Sequence, residues 1–171
     1  PESLRKQVGR MAVSTVGKKP QKETESVNKQ KDNDSGVKKA QRMLLTWICD
    51  EPSIYGKIKK YIAHDNFTEP VYQKVAKLLF DQLEANAFKP EIILNSFETE
   101  EEHKEVAKIL NTNILDMEAT SKDKERAVND AIKIILKEHY DNLYRNATSL
   151  GEMQEIIKYQ RELSALHISI N

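Results

Sequence analysis

The chain has 171 residues, 39% of them apolar and 32% charged, which suits one domain with an appendage and a heavily charged surface. Its formal charge of zero conceals an asymmetry: residues 1–40 hold ten Lys and Arg against five Asp and Glu, leaving seventeen against twenty-two for the rest. A mildly acidic globule behind a basic leader is a poor nucleic-acid platform, because such binding relies on Lys and Arg neutralising phosphates. Any nucleic-acid contact is therefore expected to be weak or indirect.

The single cysteine, Cys49, excludes an internal disulfide and a Cys-based zinc site. Flanked by Trp47 and Ile48, it reads as a small buried apolar group. No apolar run approaches the ~20 residues that span a bilayer, and no secretory signal is visible. A start at Pro1-Glu2-Ser3 without Met suggests a fragment of a larger cytoplasmic protein.

In chain order, ESLRKQVGRMAV places Leu4, Val8 and Met11 at helical spacing, as the end of an upstream domain or a nascent helix. The polar run VGKKPQKETESVNKQKDNDSG has too little apolar surface to offset chain entropy, so residues 1–36 read as a charged linker. From Val37 onward the apolar period is near 3.6. VKKAQRMLLTWIC sets Val37, Ala40, Leu44, Trp47 and Ile48 on one face. Pro52 opens a second helix with Ile54, Ile58, Tyr61 and Ile62 inward, preceded by Asp50 or Glu51 as a carboxylate cap. Thr68-Glu69-Pro70 opens a third, burying Val71, Val75, Leu78, Leu79 and Leu83. Pro90 opens a short fourth with Ile92, Ile93 and Phe97. Thr99 to Glu102 fits a capping box ahead of Val106, Ile109 and Leu110.

NTNILDMEATSKD is a break. Thr120 or Ser121 then caps the longest helix, from Ser121 to about Ala147, with Val128, Ala131, Ile132, Ile135, His139 and Leu143 on its stripe. Ser149 to Glu152 is another capping box. It opens a terminal amphipathic helix that the pattern carries to the end of the chain. Leu150, Met153, Ile157, Gln160 and Leu163 share one side, with Ile156, Tyr159 and Leu166 adjoining. The expected fold is all-α: a helical bundle over 37–120, then a long helix and an antiparallel helical hairpin over 121–171.

Residues of catalytic type do not converge in the sequence. The glycines make no phosphate-cradling loop, and His64, His103, His139 and His167 lack the spacing of a metal pair. The carboxylates of Glu98 to Glu105 suit a solvated helix start. Cys49 has only Asp50 and Glu51 beside it, which oppose thiolate formation. The expectation is a non-catalytic chain with no catalytic residue, cofactor or metal. A hairpin that covers only one side of each helix leaves apolar surface for a partner. The candidate partner-binding residues are Tyr144, Met153, Ile156, Lys158, Tyr159, Arg161, Glu162, Leu163, Leu166 and Ile168.

The stretch AQRMLLTWICDEPSIYGKIKKYIAHDNFTEPVYQKVAKLLFDQL resembles the C-terminal, helicase-binding domain of bacterial DNA primase. The likeness lies in an Ala-Gln-x-x-Leu-Leu helix, Asp-x-Pro and a Tyr, Ile-x-x-x-Ile, then a Phe before a helix with a buried Tyr. SKDKERAVNDAIKIILKEHYDNLYRN and MQEIIKYQRELSALH look like that domain's long helix and terminal hairpin. The resemblance implies a monomeric module whose hairpin docks on the N-terminal collar of the hexameric replicative helicase, coupling priming to unwinding. The zinc-binding and polymerase parts of primase have no counterpart here. Two alternatives stay open: the collar domain of the helicase itself, and a helical nucleic-acid-binding domain using the basic leader.

Overall fold

The computed structural model describes residues 35–112 and 119–170, and these residues are all-helical. The chain divides after Asp34, and everything described belongs to the unit Ser35–Asn171. Residues 1–34 of the expected linker, with the Leu4, Val8, Met11 segment, lie outside the described residues, as do residues 113–118 of the break, whereas Ser35 and Gly36, also read as linker, cap and open the first helix. Among the described residues seven α-helices succeed one another: α1 (Gly36–Asp50), α2 (Ser53–Ile58), α3 (Pro70–Glu84), α4 (Pro90–Asn95), α5 (Glu100–Asn111), α6 (Ser121–Asn146) and α7 (Leu150–Leu163). A single 3-10 turn, His64–Asn66, sits between α2 and α3.

Local chemistry sets the boundaries. Ser35 caps α1 by accepting from the Lys38 amide at 3.2 Å. The three boxes Thr99/Glu102, Thr120/Asp123 and Ser149/Glu152 open α5, α6 and α7, each with reciprocal hydrogen bonds. α3 and α4 begin on prolines, whose missing N–H is no loss in a first turn. After α3, Asn86 adopts φ 51°, and the Ala87 amide reaches back to the Gln82 carbonyl at 2.9 Å. Asn tolerates this left-handed position better than most residues with a Cβ, so it stops the helix where glycine often does.

The core gathers Leu44, Leu45 and Ile48 of α1, Ile54 and Ile58 of α2, Phe67, Tyr72, Val75 and Leu79 around α3, and Ile109 of α5. Val128, Ile132 and Ile135 of α6 close it. α6 lies chiefly along α1, so its first half is bundle and only its second half pairs with α7. The expected boundary at residue 120 therefore does not separate two cores. α6 has 26 residues, about 39 Å at 1.5 Å per residue, and its second half runs on past the bundle to pair with α7.

Three apolar expectations reverse. Tyr61 and Ile92, read as inward, are exposed: α2 ends at Ile58, which leaves Tyr61 in the turn beyond it, and the six-residue α4 buries only Ile93. Leu143, placed on the α6 stripe, is exposed because that stripe outlasts the bundle. The largest departure is at the end of the chain. α7 stops at Leu163, and the segment beyond Ser164 is not helical. It returns alongside α6 and buries Ile168 and Ile170 in the main core. β-branched side chains alternating with polar ones favour this over another helical turn.

Candidate partner-binding surface

α6 and α7 form an antiparallel pair joined by a three-residue turn at 147–149. Gln160 donates to the Asp141 carboxylate at 2.8 Å, and the rings of Tyr140 and Tyr159 stack at 5.7 Å. Ile156 is the one buried side chain of α7. Its outer face carries Lys158, Arg161 and Glu162, all solvated.

The candidate residues thus separate into groups. Ile156 and Ile168 are corrected to interior positions: Ile156 fills the seam between α6 and α7, and Ile168 belongs to the main core. Leu163 and Leu166 pack partly against that core and offer little free surface. Met153 is half-buried. Tyr144 and Tyr159 remain open, at 41% and 39% exposure. The Tyr159 hydroxyl donates to Glu155 at 2.9 Å, and that bond leads the causes holding its ionisation above the ordinary tyrosine value.

The most exposed large apolar side chain of the pair, Leu150, lies at its distal end. Leu150 is 71% exposed, and Leu143 and Tyr144 stand open in the last turns of α6. Leu143 and Leu150 were legible as apolar positions at helical spacing, but not as exposed ones. His139, one turn before Leu143, is half-buried against Tyr140, and burial lowers its pKa so that it favours the neutral form.

The remaining chemistry is sparse. Among the described residues, no three His, Cys, Asp or Glu side chains cluster as metal ligands. Burial, then Asp50, pushes the Cys49 thiol up to about 12, so it is a poor nucleophile at neutral pH. Cys49 borders a shallow depression of about 230 Å³ with Thr46, Asp50 and the end of α5. A wider groove of about 550 Å³ lies between α2 and the end of α3, lined by Tyr55, Lys59, Leu83, Glu84, Asn86 and Phe88. The Tyr55 hydroxyl donates to Glu84 there, at 3.0 Å. Among the described residues no helix is long and apolar enough to cross a membrane.

Comparison of the chain with protein-family models, with curated proteins and with solved structures finds no match in any of the three.

Proposed function

We propose that this chain is a non-catalytic protein-interaction module that docks through the distal end of its α6–α7 hairpin. The observation that carries the reading is the open set Leu143, Tyr144 and Leu150 at the end of a pair of helices that buries Ile156 between them. A helix end that projects past its own core and keeps large apolar groups in water gains by covering them. A few such anchors carry most of the energy of an interface. The partner class comes from the sequence resemblance to the primase C-terminal domain. It is the N-terminal collar of a hexameric replicative helicase, with the module acting in the cytoplasm as the tether of a primer-synthesising enzyme.

The test is calorimetric titration of the whole chain into a bacterial hexameric replicative helicase, alongside Leu150→Asp and Leu143→Asp. Point variants suit this better than removal of α7, because the segment after α7 supplies Ile168 and Ile170 to the main core. Both leucines are exposed, so folding should survive. The expected result is saturable binding that weakens about tenfold or more in each variant. Equal binding by all three chains would move the interface off the hairpin end. Absence of binding together with ring formation by the chain itself would replace this reading with the collar-domain one.

A further inference from the structure

α7 is attached thinly along its length. Ile156, the Asp141–Gln160 hydrogen bond and the Tyr140–Tyr159 stack are its main holds on α6. The segment after α7 is held more firmly. Past a turn at Ser164-Ala165 the chain goes on beside α6 toward that helix's start, the direction α7 already follows. Leu166 is half-buried, Ile168 and Ile170 are buried, and His167 and Ser169 face solvent. That period of two is the pattern of an extended segment lying on a surface.

Asn129 of α6 reads the main chain of this segment. Its side-chain carbonyl accepts from the Ile168 amide at 2.8 Å, and its amide nitrogen donates to the Ile168 carbonyl, also at 2.8 Å. The same nitrogen donates to the Glu125 carbonyl at 2.8 Å, so both amide hydrogens and the carbonyl of a buried side chain have partners. One turn earlier, Glu125 accepts from the Ile170 amide at 3.0 Å and meets His167 Nε2 at 3.1 Å. Lys57 of α2 donates to the Ile170 carbonyl. One helical turn rises about 5.4 Å and two extended residues span about 6.6 Å, so Asn129 and Glu125 match Ile168 and Ile170 in register.

We infer that residues 164–170 are a strap that holds α7 against α6, with Asn129 as its latch, and that the strap releases as a unit. Every second side chain of the strap is already in water. The fully buried residues of α1 and α3, such as Leu44, Ile48, Val75 and Leu79, have core partners of their own. Release is therefore a local opening, separate from global unfolding. The inference extends to docking only by resting on the proposed role of the hairpin: α7 holds its place at the docking end while the strap is seated.

The test is amide hydrogen exchange on the whole chain and on two variants, Asn129→Ala in the latch and Ile168→Ser in the strap. Ile168→Ser leaves α6 intact, so it serves where Asn129→Ala folds poorly. Both should speed exchange at Ile168, Ile170 and the α7 amides about tenfold or more, and in every chain these amides should exchange as one group and faster than those of α1 and α3. Both should also weaken the helicase titration. Loss of protection at Ile168 with α7 unaffected would overturn the inference, as would strap and α7 amides as strongly protected as those of α1 and α3. A chain that shows the exchange pattern but never binds the helicase would keep the strap and remove the docking role.

Discussion

Gln41 has no solvent exposure, yet it is polar at both ends of its amide. Its Nε2 donates to the Thr68 hydroxyl at 2.7 Å, and its Oε1 accepts from the Glu69 amide at 3.2 Å. Glu69 precedes Pro70 and makes no side-chain cap of its own, so a glutamine from α1 fixes the entry into α3. Gln41→Ala should lower stability by about 1–3 kcal/mol, because it leaves the Glu69 amide without an acceptor and the Thr68 hydroxyl without its donor, and opens a void. A urea transition would show a lower midpoint with an unchanged slope. Gln41→Met separates the causes: it fills the volume, so a loss equal to that of alanine would assign the effect to the hydrogen bonds. In the sequence Gln41 was visible only as a member of the Ala-Gln-x-x-Leu-Leu pattern. Its partners lie 27 and 28 residues away, beyond anything periodicity reports. Trp47 was different: its place one turn from Leu44 marked it as core, and it is buried.

At the scale of the element, caps were readable because their chemistry spans three residues. Ser149/Glu152 is one of them, and it tethers the start of α7. The Glu152 carboxylate accepts from the Thr148 amide at 2.9 Å and the Ser149 amide at 3.2 Å, and these bonds hold its pKa below the ordinary glutamate value. A depressed folded pKa gives stabilisation that is present above the unfolded value and lost as pH falls through the folded one. The first turn of α7 should therefore fray as pH drops below about 4, the ordinary carboxylate range. Glu152→Gln retains an acceptor for the box and removes the titration. Amide exchange in that turn, followed from neutral pH into acid, should be steep for the native chain and flat for the variant. The same acid response in both would place the sensitive group elsewhere. The strap was not legible by such means. Leu163, Leu166 and Ile170 fit a helical period, while Leu166, Ile168 and Ile170 fit a period of two. The residue that decides between them is Asn129, 39 residues earlier.

For the whole molecule, α6 is the element that the bundle and the hairpin share. The all-α class was legible from the 3.6-residue period. The division at residue 120 was not, because periodicity gives the width of an apolar stripe and not the partner that covers it. Ile132 lies in the bundle half of α6 and has no exposure. Ile132→Ala should cost about 2–5 kcal/mol through lost burial and a cavity. Trp47 is the sole tryptophan, buried in α1 with the Lys124 ammonium of α6 5.4 Å from its ring centre. Its fluorescence therefore reports the docking of α1 on α6, whereas far-ultraviolet circular dichroism reports all the helices. If α6 joins both parts into one cooperative unit, the two signals move together to lower denaturant in Ile132→Ala and stay superimposed. A helical signal that persists after the tryptophan transition would instead make the hairpin a separately folding body. α1 and α6 would then be a docked interface, and the 37–120 and 121–171 division would regain its physical meaning.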